Sequence, residues 1–175
     1  MKRILFVLIL VATTGSLSAF SQTRDPAATV KAFYSFSDAR SPIFDQRHVS
    51  SRKRWYTSEL YKAFLGQLFR DKTYLRKHPT DKPYFGDGLD FKPLDEPCTA
   101  DGNNYSLSYR IGKEAKTGSR ASVNVIFAYP KGCKLESIVY RVDLRKIQGR
   151  WLISDWHYPD GSSLINDLRK QTYGD

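Results

Sequence analysis

Cysteine is scarce in this sequence: Cys98 and Cys133 are the two cysteines among 175 residues. They do not form a C-x-x-C pair, and no histidine lies close to either of them in sequence. This argues against a zinc site or a redox-active dithiol. In an oxidising compartment an isolated pair usually forms a disulfide. We therefore predict a structural bridge, which would stabilise the fold by about 3–4 kcal/mol.

The sequence also lacks the short motifs of several common enzyme classes. It has no H-E-x-x-H, no G-x-S-x-G, no P-loop and no dinucleotide-binding fingerprint. The acidic residues between positions 87 and 101 do not have the spacing of an EF-hand loop. These absences weigh against the common hydrolase and nucleotide-dependent classes. We expect no metal and no cofactor.

Long apolar runs are missing as well, apart from residues 4–12. This run follows Lys2 and Arg3, precedes a stretch of small residues, and is too short to span a bilayer. Residues 1–21 are therefore predicted to be a signal peptide, cut after Ala19 or Ser21. The remaining residues, 22–175, are expected to form a single exported domain without a transmembrane segment, periplasmic or secreted.

Acidic residues are outnumbered, with 18 Asp and Glu against 28 Lys and Arg, for a net charge of +10. Loss of Lys2 and Arg3 with the signal peptide would lower this charge by two. An exported basic protein rarely meets genomic DNA, so we expect no nucleic-acid partner. Anionic sugars, lipid headgroups, cell-wall polymers or an acidic protein fit the charge better, although a basic balance also serves solubility alone.

The hydrophobic periodicity changes from helical to alternating along the chain. Asp25-Pro26 is a favourable helix start, followed by Val30, Phe33 and Tyr34 at helical spacing. A second helix is predicted from Thr57 to about Arg76, and a short one near the C-terminus. Between them, four alternating segments near residues 105–111, 120–129, 138–145 and 151–157 predict an antiparallel meander. The fold class is therefore α+β, with N-terminal helices packed on a curved antiparallel sheet of four or more strands.

Four segments together resemble a known group of proteins. They are Val30-x-x-Phe33-Tyr34, residues 54–60 (RWYTSEL), residues 86–91 (GDGLDF) and residues 149–155 (GRWLISD). In these segments the chain resembles a family of exported bacterial domains of unknown function. That family looks like part of the nuclear-transport-factor-two-like superfamily, which has a cystatin-like α+β cone fold. The resemblance covers nearly all of residues 25–158.

The resemblance implies a cavity between sheet and helices but no single function, because the superfamily includes isomerases, dehydratases, carriers and protein-binding modules. It also leaves open a homodimer formed through the sheet. If Gln148-Gly149 is a two-residue turn, Tyr140 lies opposite His157 on the apolar face that also carries Asp155. These three residues are then candidate catalytic residues, with Asp155 as general acid or base. A bulge would instead turn Asp155 and His157 outward.

The basic run Arg52-Lys53-Arg54 is a second candidate site, since cations beside Trp55 and Tyr56 can hold anionic polymers, sugars or an acidic partner. Basic runs are common, however, and they favour the interpretation as a solvated connector whose aromatic residues pack into the core. We predict an exported binding domain with an aromatic-lined cavity for a small molecule or an envelope protein. One alternative is a cofactor-free isomerase or lyase that uses Asp155, His157 and Tyr140. Another is an inhibitor or immunity-type module that binds a protein.

Overall fold

The computed structural model describes residues 25–36, 43–89, 91–93, 107–133, 135–170 and 173. The predicted signal peptide, residues 1–21, lies outside the described residues. In the described part, four helices accompany one sheet of four antiparallel strands, which confirms the α+β class. No helix in these ranges is both long and apolar enough to cross a membrane.

Helix α1, Pro26–Ser35, begins where the sequence predicted. The Asp25 side chain accepts a hydrogen bond from the Ala27 amide at 3.2 Å, and Pro26 occupies the first turn. Proline is tolerated there because its missing N–H would have no partner inside the helix. The helix turns Val30, Phe33 and Tyr34 inward, and all three are fully buried or nearly so.

Helix α2, Gln46–Arg52, was not predicted, because this segment reads as a basic connector without an apolar stripe. Its start is nevertheless visible in the sequence as Asp45, whose carboxylate accepts a hydrogen bond from the His48 amide at 2.7 Å. One turn of 3-10 helix, Lys53–Trp55, continues it. The prediction failed because capping, rather than hydrophobic periodicity, defines so short a helix.

Helix α3, Ser58–Lys77, agrees with the prediction. The Thr57 hydroxyl caps it, Glu59 lies in the first turn, and Arg76 and Lys77 lie in the last. These charges suit the two ends of the helix dipole. Leu60 and Phe64 reach the core of the domain, so α3 packs its apolar side inward.

The sheet is a simple meander with the order β1-β2-β3-β4. Its strands are β1 Ser108–Thr117, β2 Arg120–Ala128, β3 Ile138–Ile147 and β4 Arg150–His157. The predicted turn is present, with Gln148 at φ 50° and Gly149 at φ 81° between the paired residues Ile147 and Arg150. Positive φ at both central residues matches the right-handed twist of a hairpin.

Two irregularities alter the register of the sheet. In β4, Ser154 is an extra residue, because Asp143 pairs with Asp155 whereas Leu144 pairs with Ile153. In β1, the register shifts between Ile111 and Glu114. A bulge sends the side chains after it to the opposite face from the one that simple alternation predicts. The Ser154 bulge decides the position of the candidate site.

The inner face of the sheet packs against α1 and α3 through a cluster of aromatic rings. Phe33 lies at its centre, and its ring centroid is within about 6 Å of those of Tyr34, Trp55, Tyr56, Phe91 and Trp156. Such pairs contribute about 0.5–1.5 kcal/mol each beyond the burial of their area. The aromatic richness of the sequence is therefore used largely to fill the core.

The short helix α4, Leu164–Lys170, follows β4 and folds back beside it and α3. Leu164 and Leu168 are buried, as the predicted C-terminal helix requires. The edge of β4 is also partly covered by backbone bridges from Tyr56 to Ile153 and from Ser163 to His157. This protection limits pairing of the edge with another chain.

Candidate functional site

The structure separates Tyr140 from the other two predicted catalytic residues, Asp155 and His157. Tyr140 lies on the inner face of β3 with Val142 and Leu144, and its side chain is buried. The bulge instead aligns Asp155 with Asp143, and His157 with Arg141, on the outer face. The predicted pairing of Tyr140 with His157, on the face that also carries Asp155, was wrong. The alternative in which a bulge turns Asp155 and His157 away from the inner face is confirmed.

Asp155 is buried and holds α4 in place. Its carboxylate accepts hydrogen bonds from the Ser163 hydroxyl at 2.7 Å and from the amides of Ile165 at 2.9 Å and Trp156 at 2.8 Å. Three donors satisfy most of the acceptor capacity of a carboxylate. The arrangement makes Asp155 the anchor of the turn into α4.

His157 lies between two carboxylates on the outer face. Its Nε2 is 2.9 Å from Asp143 Oδ2 and 3.7 Å from Asp155 Oδ2. Asp143 also pairs with Arg141 Nε at 3.2 Å. The contact with Asp143 orients the imidazole ring. The four residues form a chain of alternating charge when His157 is protonated, as structural ion-pair networks often do.

Asp143, Asp155 and His157 line one side of a groove on the outer face of the sheet, which we call the outer groove. Its volume is about 600 Å³. The other side carries Arg120, Arg145 and Arg169, with Glu59 from α3 between two of these arginines. Glu59 Oε1 accepts a hydrogen bond from Arg169 at 2.6 Å, and Glu59 Oε2 is 3.8 Å from Arg145. The bond from Arg169 is the main cause that lowers the pKa of Glu59.

A second cavity, of about 760 Å³, lies where β3 begins, beside residues 84–88, Pro93 and the segment 158–167. We call it the aromatic cavity, because Tyr84, Phe85, Tyr140 and Tyr158 line it. The rings of Tyr140 and Tyr158 meet edge to face, with centroids 5.0 Å apart. Tyr140, alone of the predicted catalytic residues, lines this cavity.

Three carboxylates, Asp87, Asp160 and Asp167, also line the aromatic cavity, and Asp87 is paired with Lys82. Burial raises the pKa of Asp167, whereas hydrogen bonds from Ser162 lower the pKa of Asp160. Sequence reasoning missed Asp160 and Asp167. Asp160 belongs to an Asp-Gly turn and Asp167 to a short helix, and neither position carries a motif.

A buried hydrogen-bonded chain crosses the inner face and was also missed. Trp156 Nε1 donates to the Tyr34 hydroxyl at 3.1 Å, and that hydroxyl donates to the Phe91 carbonyl at 2.7 Å. Burial strongly raises the pKa of Tyr34, so the phenol stays neutral. The chain joins α1, β4 and the segment at Phe91, and its role is to satisfy polar atoms inside an apolar core.

Of the three residues in the predicted basic surface, Lys53 and Arg54 are exposed and Arg52 is not. Arg52 is fully buried, with its guanidinium 5.1 Å from the centroid of the Phe91 ring, so including it in an exposed patch was wrong. Lys53 and Arg54 are exposed, and they lie over the rings of Tyr61 and Trp55. Helix α2 causes the difference, since successive residues of a helix point in different directions.

The predicted disulfide stays a prediction. Cys133 lies in the connection between β2 and β3, where its amide donates to the Pro130 carbonyl at 3.1 Å, and Cys98 lies outside the described residues. Within the part of the chain that the structure describes, His, Cys, Asp and Glu side chains form no group of three suited to a metal ion.

Comparison with known proteins does not extend these observations. The chain has no significant match among protein-family models, curated proteins or solved structures.

Proposed function

We propose that this protein is an exported binding domain and that its ligand is a small molecule bound in the aromatic cavity. The observation that carries the proposal is a concave space of about 760 Å³ lined by four aromatic side chains. Ligand pockets commonly have volumes of about 300–1,000 Å³ and mainly apolar walls with a few polar groups. The aromatic cavity has both properties.

The walls indicate which kind of ligand fits. Tyr140 is held by ring contacts with Phe127 at 5.2 Å and with Tyr158 at 5.0 Å, so one wall is rigid. Tyr84 is 55% exposed, so its ring remains available to an incoming molecule. A planar apolar body can stack on such rings at little entropic cost, because an aromatic side chain has few torsions to fix.

The carboxylates of Asp160 and Asp167 add a polar preference. Ionised carboxylates act only as acceptors, so they favour a ligand with a hydrogen-bond donor or a positive charge. A cation beside an aromatic ring gains further from the ring quadrupole. The ligand class that fits best is therefore an aromatic or alicyclic small molecule that carries an amine.

The enzyme alternative loses its geometric basis, because Tyr140 lies on the opposite face of the sheet from Asp155 and His157. A general acid or base must come within hydrogen-bond reach of the atom it serves. A substrate in the aromatic cavity would meet Tyr140 without the other two residues. Binding without catalysis therefore suits the arrangement better.

The proposal can be tested with aromatic fragments in matched pairs, one of each pair carrying an amine, by ligand-observed NMR. We expect the amine-bearing fragments to bind, and Tyr158→Ala to weaken binding by about tenfold or more, equivalent to 1.4 kcal/mol. Phe69→Ala is the matched control, because Phe69 is an aromatic residue on α3 that is 69% exposed and does not line the cavity.

Two outcomes would count against the aromatic cavity as the binding site. One is equal weakening by Tyr158→Ala and Phe69→Ala, and the other is no binding of any fragment. Native mass spectrometry of protein exported by a bacterial host is an independent check. A mass added in the native spectrum and lost on denaturation would identify a retained ligand.

A further inference from the structure

The outer groove contains two positively charged side chains, Arg120 and Arg145, whose proximity does not stabilise the sheet. Arg120 of β2 and Arg145 of β3 are directly opposite each other in the register. Directly opposed like charges in an antiparallel pair destabilise the sheet. Local features that cost stability tend to occur at functional sites.

The acidic groups of the groove are engaged mainly by other residues, and they compensate this pair only at Arg145. Glu59 is engaged by Arg169, Asp143 by Arg141 and His157, and Asp155 by three donors around Ser163. Arg145 is 3.8 Å from Glu59, whereas Arg120 is in no ion pair among the described residues. The uncompensated positive charge is therefore concentrated at the Arg120 end of the groove.

The groups around Arg120 suit an anion with several oxygens. Thr117 and Ser122 bring hydroxyls to the same groove, and Arg169 reaches it from α4. Guanidinium groups present forked N–H donors that match phosphate as well as carboxylate. These donors come from two strands and a helix, so they can approach a tetrahedral oxyanion from several directions.

We infer that the Arg120 end of the outer groove binds a phosphate or sulfate group through Arg120 and Arg145. The group could belong to a small soluble ligand or to a lipid headgroup, since the recognised chemistry is the same. This site lies on the opposite face of the sheet from Tyr140 and the aromatic cavity. A negative result at one of the two sites would therefore leave the proposal for the other site unaffected.

The test uses the whole exported protein and two kinds of probe. The first is inorganic phosphate and glycerol phosphate, titrated at constant ionic strength while the Nε–H signals of arginine are followed by NMR. The second is vesicles of phosphatidylcholine with and without phosphatidylglycerol, followed by cosedimentation. Constant ionic strength separates specific binding from screening of the overall charge.

Arg120→Gln, Arg145→Gln and Arg110→Gln are the variants to compare. Arg110 is exposed on the same face of β1, next to Ile126 in the register, and does not line the outer groove. All three variants remove one positive charge. Arg120→Gln also removes the opposed like charge, so we expect it to fold at least as well as the wild-type protein.

We expect the phosphate probes to bind, with affinity about tenfold lower in Arg120→Gln and Arg145→Gln and changed less than about twofold in Arg110→Gln. Binding of phosphatidylglycerol vesicles alone, lost in Arg120→Gln but kept in Arg110→Gln, would support the site and identify a lipid headgroup as the source. Equal losses in all three variants would show diffuse attraction and overturn the inference. Absence of binding to every probe would overturn it as well.

Discussion

The indole N–H of Trp156 donates a hydrogen bond to the hydroxyl of Tyr34 at 3.1 Å, across the centre of the domain. The same hydroxyl donates to the carbonyl of Phe91 at 2.7 Å. One phenol therefore satisfies a donor from β4 and an acceptor from the segment that leads to the aromatic cavity. Because all of these groups are buried, water cannot replace a lost partner.

Replacing Tyr34 with phenylalanine should destabilise the fold by about 1–3 kcal/mol, because the Trp156 N–H and the Phe91 carbonyl each lose a buried partner. The matched control is Tyr109→Phe. The Tyr109 ring also contacts Tyr34, but among the described residues its hydroxyl makes only an exposed 3.5 Å contact with Ser35. Urea unfolding of the three proteins measures the difference. Equal stability of Tyr34→Phe and Tyr109→Phe would contradict the role assigned to the chain.

The neutral state of Tyr34 predicts how stability depends on pH. Burial raises its folded pKa above the ordinary value of about 10, so above that pH the unfolded state releases a proton that the folded state keeps. The stabilisation is complete below pH 10 and falls as pH rises, by about 1.4 kcal/mol per pH unit for one group. Tyr56 is buried as well, and its pKa is also raised.

The measurement is urea unfolding from about pH 9 to 11 for the wild-type protein and Tyr34→Phe. The stability advantage of the wild type should shrink as the pH rises through this range. A constant advantage would mean that Tyr34 ionises equally in both states, against the burial seen here. Comparing the two proteins at each pH cancels the contributions of lysine and the other tyrosines.

Asp155 should behave as a structural anchor. Asp155→Asn replaces one carboxylate oxygen with an N–H₂ group that faces donors from Ser163 and Ile165. We therefore expect the free energy of unfolding to fall by about 1–3 kcal/mol and the amides of α4 to exchange faster with solvent. Asp87→Asn is the control, since the Asp87 side chain is 90% exposed and pairs only with Lys82 among the described residues. Amide hydrogen exchange reports α4 directly. Unchanged exchange in α4 would refute the anchoring role.

The Cys98–Cys133 bridge is tested by intact mass after alkylation with and without reductant. We expect alkylation of unfolded protein only after reduction, and loss of about 3–4 kcal/mol of stability in the Cys98→Ser/Cys133→Ser double variant. Two thiols that react without reductant would refute the bridge. The same mass also locates the signal-peptide cleavage site, predicted after Ala19 or Ser21.

The helices and strands were largely predictable because their signals are local. Asp25-Pro26 at the start of α1, the cap at Thr57 and the alternation in the strands follow from capping geometry and side-chain periodicity. Helix α2 was missed because it has a cap at Asp45 but no apolar stripe. Because α2 was missed, the prediction placed Arg52 on the surface in a basic run, whereas it is buried in the fold.

The sequence by itself determined the α+β class, the order of the strands and the tight turn at Gln148-Gly149, since each depends on neighbours a few residues apart. Only the tertiary structure decided which face Asp155 and His157 occupy. A single extra residue, Ser154, reverses the alternation, and no local pattern marks where a strand accommodates it. The pairing of β4 with β3 and the packing of α4 select that register, so residues that sequence alternation placed beside Tyr140 line the outer groove instead.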